Sequence, residues 1–307
     1  MGLPSADNKD LSGRDMAATI GKGMIDVSDL YFTYRNSSVA AVRGLDFQVD
    51  TGEIFGFLGP SGAGKSTTQK ILTGLLDGYA GRARVHGKEV RAWTSDDYER
   101  IGVSFETPNH FLKLTGLENL RYFAALYAGG AGSPESLLEA VGLDGEGDKL
   151  VAHYSKGMKC RLSMARSLLP NPELLFLDEP TAGLDPVSAQ RIKDVIRAER
   201  SSGRTVFLTT HDMSAADELC DRVAFIVDGR LTCIESPRAL KLRYGERTVR
   251  VEYGDGSGTS HADFPLDGLA ENAAFHDVLR QRHVQTIHTR EASLADIFIR
   301  VTGRQLG

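Results

Sequence analysis

The chain has 307 residues, which is too long for one minimal core and suggests one large α/β domain with a small appendage. Its 41% hydrophobic and 25% charged content is close to globular averages and argues against a disordered or fibrous protein. The net charge of −5 gives no overall attraction to nucleic acid or anionic lipid, so nucleic acid is not an expected partner.

Two further features bear on the cellular compartment. The three cysteines, Cys160, Cys220 and Cys233, have no C-x-x-C spacing, which argues against a disulfide framework or a zinc site and favours a reducing cytoplasm. No stretch reaches the roughly 18 consecutive apolar residues of a membrane-crossing helix, and residues 1–23 lack the apolar core of a signal peptide. Because residues 1–23 are polar and show no periodicity, we expect them to form a disordered leader.

Short apolar strands begin at Met24. The sequence predicts strands over residues 39–49 and 53–58, and the second strand ends in a glycine-rich loop. A helix is predicted to begin near Lys65. Residues 115–143 are also predicted to be helical, because apolar side chains recur there at helical spacing.

The next two predicted strands cover residues 174–177 and 206–210. Both are continuous apolar runs, typical of parallel strands that are covered on both faces. Between them, Asp185 is predicted as the N-cap of a helix and Pro186 as its first residue, and the helix stops before Gly203. This order predicts a βαβ crossover in a parallel sheet.

The character of the sequence changes after Leu240. Short strands are predicted at 248–253 and 284–290, and Ser293 opens a final helix with a capping-box spacing. The apolar face of that helix consists of Leu294, Ile297, Phe298 and Val301. We therefore expect a small α+β domain over residues 241–307.

A phosphate-binding motif, G-x-x-x-x-G-K-[ST], directly follows the predicted strand at 53–58. It consists of Gly59, Pro60, Ser61, Gly62, Ala63, Gly64, Lys65 and Ser66, and we assign the next residue, Thr67, to the same site. The glycines allow backbone N–H groups to approach phosphate oxygens, and the helix N-terminus adds a favourable field. Lys65 is expected to neutralise the β- and γ-phosphates, and Ser66 to bind Mg²⁺. The motif predicts a site for a nucleoside triphosphate and Mg²⁺.

Two carboxylates, Asp178 and Glu179, stand at the carboxyl end of the predicted strand at 174–177, where α/β sheets present ligand-binding groups. This is a Walker B segment. Asp178 is expected to hold Mg²⁺, and Glu179 to polarise the attacking water as general base. These features are shared by many P-loop ATPases.

Three further segments resemble the ATP-binding subunits of ABC transporters. Residues 154–159, Tyr-Ser-Lys-Gly-Met-Lys, resemble the ABC signature, residues 181–185 resemble the D-loop, and His211 resembles the switch histidine. The resemblance covers residues 24–240, with its motifs in the family's order. It implies an α/β P-loop NTPase core with an antiparallel β subdomain and a helical subdomain at about 107–170, next to the small C-terminal appendage.

The resemblance also implies roles for single residues. In this family two cassettes pack head to tail, so Ser155 and the Gly157 backbone N–H are expected to hold the γ-phosphate bound by the partner's phosphate loop. His211 is expected to contact the γ-phosphate and the attacking water, and Asp185 to couple the two sites. A second ATP-binding subunit, as in a homodimer, is therefore an expected partner.

Two positions are less typical of the family. Tyr34 matches the aromatic residue that stacks on adenine, although Tyr31 and Phe32 lie close to it in the sequence. Glu106 stands where most members carry the Q-loop glutamine, which touches Mg²⁺ and faces the membrane partner. Since a carboxylate can also bind Mg²⁺, we interpret Glu106 as a functional replacement.

These features predict the ATP-hydrolysing subunit of an exporter that binds a separate transmembrane permease at the cytoplasmic face of the membrane. Residues 293–304 resemble the tail of drug- and antibiotic-export ATPases, which favours export over import.

One alternative is an ABC ATPase that acts on ribosomes or nucleic acid, but such proteins usually carry two cassettes or long coiled coils. A P-loop kinase or phosphotransferase would leave the signature and His211 unexplained. The sequence does not identify the transported substrate, the permease or the role of the C-terminal domain.

Overall fold

The computed structural model describes residues 23–128, 131–245, 248–254, 258–290 and 292–304, so the predicted leader, apart from Gly23, lies outside the described residues. The strands are β1 (Ile25–Phe32), β2 (Val42–Val49), β3 (Ile54–Leu58), β4 (Ala80–Val85), β5 (Lys88–Glu89), β6 (Ile101–Ser104), β7 (Leu174–Asp178), β8 (Thr205–Thr210), β9 (Arg222–Val227), β10 (Arg230–Glu235), β11 (Thr248–Gly254), β12 (Thr259–Pro265) and β13 (His283–Arg290). The helices are α1 (Lys65–Leu72), α2 (Ser95–Tyr98), α3 (Gly116–Ala124), α4 (Pro134–Ala140), α5 (Lys156–Ser167), α6 (Pro186–Ser201), α7 (Met213–Leu219), α8 (Pro237–Tyr244), α9 (Ala273–Gln281) and α10 (Leu294–Thr302).

A six-stranded sheet forms the centre of the molecule, in the order β10-β9-β3-β8-β7-β6. Strands β3, β6, β7, β8 and β9 are parallel, and only β10 runs antiparallel to its neighbour. Every residue of β3, β7 and β8 is buried. The continuous apolar runs in the sequence therefore become strands covered on both faces, as predicted.

A smaller antiparallel sheet, in the order β2-β1-β4-β5, packs beside the central sheet. Buried and exposed residues alternate along much of β1 and β2, which places one face of this sheet in the core. Phe47 of β2 contacts Phe55 and Phe57 of β3, with ring centroids 5.9 Å and 5.4 Å apart. This sheet corresponds to the antiparallel β part of the predicted fold, and the α/β fold class is confirmed.

The helical segment precedes the signature helix α5 and packs on it. The predicted helical run at 115–143 is divided into α3 and α4, and buried Leu120, Leu138 and Leu162 join both helices to α5 in one core. No helix in the described ranges is both long and apolar enough to span a membrane.

The C-terminal region divides between two cores. The sheet β12-β11-β13 buries Val249, Val251 and Phe264 under α9. The final helix α10 has the predicted capping box at Ser293, but its apolar face joins the large core instead, with the Phe298 ring 5.1 Å from that of Phe225. The sequence identifies this apolar face but does not identify its packing partner.

Candidate nucleotide site

The glycine-rich loop between β3 and α1 has a backbone that only glycine permits at its key positions. A Cβ atom at Gly59 would lie 2.2 Å from the Ile226 carbonyl oxygen, and one at Gly64 would lie 2.6 Å from that of Ala41. Gly62 has a φ of +78° and faces open space. The loop is thus packed tightly against the protein on one side and open at Gly62, which suits a cradle for phosphate oxygens.

Lys65 begins α1 and folds back across this loop. Its Nζ atom donates to the carbonyl oxygens of Gly59 at 2.7 Å and Pro60 at 3.1 Å, and the residue is only 6% exposed. Burial lowers the pKa of Lys65, whereas the negative charges of Glu179, Asp178 and Glu106 raise it. The ammonium group is therefore placed between the loop and the carboxylates.

Ser66 and Asp178 bring two oxygen donors together below the loop. The Ser66 hydroxyl donates to Asp178 Oδ1 at 3.3 Å, and the Thr209 hydroxyl donates to the same carboxylate. Within the described residues there is no cluster of three or more His, Cys, Asp or Glu side chains able to hold a metal. A serine and one carboxylate nevertheless fit Mg²⁺, which binds few protein ligands and completes its shell with water and phosphate oxygens.

Glu179 follows β7 in a left-handed backbone conformation, with φ at +49°. Its carboxylate accepts from the Thr210 hydroxyl at 2.9 Å and from His211 Nδ1 at 2.8 Å, and it lies 3.8 Å from Lys65 Nζ. The Glu179 side chain is 8% exposed, whereas that of His211 is 53% exposed. Such strain in a buried acid is common at functional sites, where the neighbouring bonds hold the residue in place.

The structure distinguishes among the three neighbouring aromatic residues near the loop. Phe32 is buried in the core, whereas Tyr34 is exposed and its hydroxyl lies 3.1 Å from Thr67 Oγ1. Tyr31 is also exposed, but its hydroxyl lies next to Gly44. Tyr34 is therefore the aromatic residue next to the phosphate-binding helix.

Glu106 lies two residues beyond β6, which runs beside β7 in the central sheet. The side chain is exposed, and its charge acts on Lys65. Glu106 is thus near the loop and the Walker B carboxylates, but the structure gives it no bond to Ser66 or Asp178 among the described residues.

The signature residues lie at the N-terminus of α5. Ser155 is the exposed N-cap and accepts from the Met158 N–H at 3.1 Å. The nearest atoms to a Cβ at Gly157 would belong to Leu184, Ser155 and Ser188, at 3.7–3.8 Å, so the signature lies beside the D-loop. Asp185 caps α6 by accepting from the Ser188 N–H at 2.9 Å.

Two groups of candidate residues result. The phosphate-loop half-site contains Gly59, Pro60, Ser61, Gly62, Ala63, Gly64, Lys65, Ser66, Thr67, Tyr34, Glu106, Asp178, Glu179 and His211. The signature half-site contains Ser155, Gly157 and Asp185. Among the described residues, no hydrogen bond or ion pair joins the two half-sites.

Sequence reasoning missed three residues of the phosphate-loop half-site. The hydroxyls of Thr209 and Thr210 donate to Asp178 and Glu179. Gly229 lies in the turn between β9 and β10, and its N–H donates to the Ala63 carbonyl oxygen at 3.0 Å. The threonine pair directly before His211 was a usable signal, because parallel strands place their carboxyl ends at one edge. Gly229 gave no comparable signal.

Two family models match the chain. The model of the ABC transporter family matches residues 42–182, and that of the fluoroquinolone efflux ABC transporter C-terminal domain matches residues 247–291.

The chain is also similar to proteins with assigned roles. It is 60% identical over 291 residues to a fluoroquinolones export ATP-binding protein of Mycobacterium tuberculosis, covering 94% of this chain and 97% of the relative. It is 38% identical over 243 residues to the daunorubicin/doxorubicin resistance ATP-binding protein DrrA of Streptomyces peucetius, covering 78% and 73% of the two chains.

Among solved structures, the fold is similar to the ATP-binding cassette MJ0796, whose dimer was captured in a post-hydrolysis state with ADP and Pi. The TM-score is 0.64 at 25% identity, over 70% of this chain and 99% of the other. A structure described as the ATP binding subunit of an ABC transporter gives a TM-score of 0.65 at 27% identity, over 72% and 93% of the two chains.

Proposed function

The chain belongs to the ABC transporter ATP-binding proteins, the ATP-hydrolysing subunits of transporters, and we propose that two copies close head to tail on ATP to drive drug export through a separate permease. The permease would hold the chain at the cytoplasmic face of the membrane. The comparisons favour export over an action on ribosomes or nucleic acid.

The observation that carries this proposal is the exposed position of Ser155 at the N-terminus of α5. Ser155 is exposed, and as the N-cap of a 12-residue helix it lies where backbone N–H groups favour an anion. No phosphate-binding residue of the same chain is bonded to it among the described residues. A second copy, turned head to tail, would place its phosphate loop against Ser155 and Gly157.

The phosphate-loop half-site suits the hydrolytic step. Lys65 would hold the β- and γ-phosphates, while Ser66, Asp178 and Glu106 would hold Mg²⁺, which supplies charge stabilisation when bound. Glu179 would accept a proton from the attacking water as the water oxygen bonds to the γ-phosphorus, and the bond from that phosphorus to the β,γ-bridging oxygen would break, releasing ADP and phosphate. His211, which now donates to Glu179, would orient that water and the γ-phosphate.

Tyr34 would stack on the adenine ring, because it is exposed and lies next to Thr67 at the start of α1. Aromatic stacking of this kind contributes binding with little demand on the identity of the base.

The permease would bind beside Glu106. Four large apolar side chains are exposed on the segment that follows Glu106 and on α3 and its C-terminal end, namely Phe111, Leu112, Tyr122 and Leu126. The Phe111 and Tyr122 rings are in contact, with centroids 4.9 Å apart, and exposed apolar side chains of this kind suit a protein interface.

For the substrate, we propose a fluoroquinolone-type antibiotic. The support is the 60% identity to a fluoroquinolones export ATP-binding protein and the match of residues 247–291 to the corresponding C-terminal model. Cells that express the chain with its permease should accumulate less fluoroquinolone than cells expressing the Glu179→Gln chain with the same permease. Equal accumulation would reject this substrate class.

The dimer is tested by the dependence of ATPase activity on protein concentration. Because each site needs Ser155 of a second copy, the specific activity of the isolated chain should rise with concentration until dimers dominate. A constant specific activity down to the lowest measurable concentration, where chromatography shows monomer, would contradict the proposal.

A further inference from the structure

Residues 109–110 follow Glu106 closely in the sequence and are hydrogen-bonded to the signature helix α5. His110 Nε2 lies 2.9 Å from the Lys159 carbonyl oxygen and 3.1 Å from the Ser163 hydroxyl. The Asn109 carbonyl accepts from Arg166 Nη1 at 2.6 Å. Lys159, Ser163 and Arg166 are spaced by four and three positions, so all three contacts lie along one face of α5.

The polarity of these bonds follows from the partners. A carbonyl oxygen only accepts, so His110 Nε2 carries a proton, and in the neutral imidazole Nδ1 is then the unprotonated nitrogen. Nδ1 is buried and has no hydrogen-bond partner. Burial of Nδ1 without a partner costs free energy, while the hydrogen bond of Nε2 fixes His110 to α5.

The same segment is fixed on its other side. Asn119 of α3 is 1% exposed, accepts from the Phe111 N–H at 2.9 Å and donates to the Phe111 carbonyl at 3.0 Å. The backbone from residue 109 to 111 is therefore bonded to both α3 and α5. A shift of Glu106 toward or away from the nucleotide would be passed to α5 through this short segment.

We propose that His110 is a positioning residue that links the Glu106 segment to α5 and so sets the placement of Ser155 and Gly157. The inference rests on the proposed function, because the signature half-site acts on the nucleotide of a second copy. His110 itself touches neither nucleotide nor water. Its contacts with Lys159 and Ser163 lie one and two turns into the helix that Ser155 caps.

The test compares His110→Ala with His110→Gln, whose side-chain amide can still donate near the position of Nε2. In His110→Ala, kcat should fall about tenfold while KM for ATP changes less than about twofold, because the phosphate loop is intact. His110→Gln should recover about half of kcat or more. Lys113→Ala, an exposed change in the same segment, is the matched control and should behave as wild type.

A second measurement separates positioning from stability. In the Glu179→Gln background, the fraction of chain that forms a dimer with ATP should fall with His110→Ala and return with His110→Gln. If His110→Ala leaves kcat and the dimer unchanged, or if both variants lose activity only in proportion to their melting temperatures, the role assigned to His110 is wrong. If Glu179→Gln alone forms no dimer with ATP, the proposed function fails first and the role of His110 with it.

Discussion

The two half-sites differ in how completely one chain builds them. In the phosphate-loop half-site, the buried Lys65 is bonded to the loop, and Asp178 and Glu179 accept from the threonines of β8. His211 is already paired with Glu179. In the signature half-site, Ser155 is exposed and makes a single capping bond. One chain therefore orders the residues of the phosphate-loop half-site and, in the proposed dimer, leaves the closing contact to the second copy.

The largest loss of turnover is expected in the phosphate-loop half-site. Lys65→Ala removes the cation among three carboxylates and two bonds that hold the loop, so turnover should fall by about 10²–10³-fold and ATP binding should weaken. Steady-state phosphate release and nucleotide titration would measure this. Lys70→Ala, on the same helix, is the control. Full turnover in Lys65→Ala would overturn the assignment of the phosphate loop.

Glu179→Gln should separate binding from hydrolysis. The amide keeps the shape but cannot accept the proton of water, so turnover should fall about 10²-fold or more while ATP still binds. A dimer should accumulate with ATP and Mg²⁺ in size-exclusion chromatography. Only monomer, at ATP concentrations far above the dissociation constant, would argue against the shared site.

Gly157→Ala tests the signature half-site without changing the phosphate-loop half-site. A Cβ there meets no atom closer than 3.7 Å, so the chain should fold, and alanine in a helix should add up to about 1 kcal/mol of stability. The methyl group would nevertheless obstruct a phosphate approaching the N-terminus of α5. We expect turnover to fall about 10- to 100-fold with an unchanged or higher melting temperature.

The control for Gly157→Ala is Gly258→Ala, since a Cβ at Gly258 meets open space. It should leave both turnover and melting unchanged. Wild-type turnover in Gly157→Ala would mean that the N-terminus of α5 does not approach a nucleotide.

Substitutions of Glu106 test both the Mg²⁺ site and the proposed contact with the permease. Glu106→Gln keeps an oxygen ligand but removes a charge, so a few-fold change in ATPase rate and a shifted Mg²⁺ requirement are expected. Glu106→Ala should be worse, and should reduce permease-coupled transport more than ATPase of the isolated chain. If Mg²⁺ dependence, ATPase and transport all stay at wild-type levels, Glu106 is only a surface acid.

The smallest effect concerns stability and pH. Burial lowers the pKa of His110 from 6.5 to about 4; the hydrogen bond to the Lys159 carbonyl opposes this shift, and the charges of Arg166 and Lys159 add to it. Between pH 4 and pH 6.5 the unfolded chain binds more protons at this histidine than the folded chain does. The stability from neutral His110 is therefore fully present above pH 6.5 and is lost as the pH falls toward 4. After discounting for partial exposure, the loss is on the order of 1–2 kcal/mol.

Urea unfolding at pH 4.5 and pH 7 would measure this loss. The decrease should be smaller in His110→Gln, which has no ionisable group at this position. An equal decrease in both chains would assign the pH dependence to other residues.

The sequence predicted the parts of the molecule that local patterns encode. The apolar runs at β7 and β8, the capping by Asp185 and the start of α1 at Lys65 all follow from short motifs and burial periodicity. It did not predict β12, where polar residues and a proline hide the strand, nor α9. The links through Thr209, Thr210 and His110 also depend on distant segments, and no single stretch of sequence contains both partners.

The packing of α10 has a consequence for synthesis of the protein. Residues 294–302 are made after the strands of the central sheet, yet Leu294, Ile297 and Phe298 complete the core around Phe225 and Leu240. At ribosomal rates of about 5–20 residues per second, this apolar surface stays uncovered for several seconds after Phe225 emerges. During that interval the nascent chain exposes an apolar surface, which is covered when α10 packs against it.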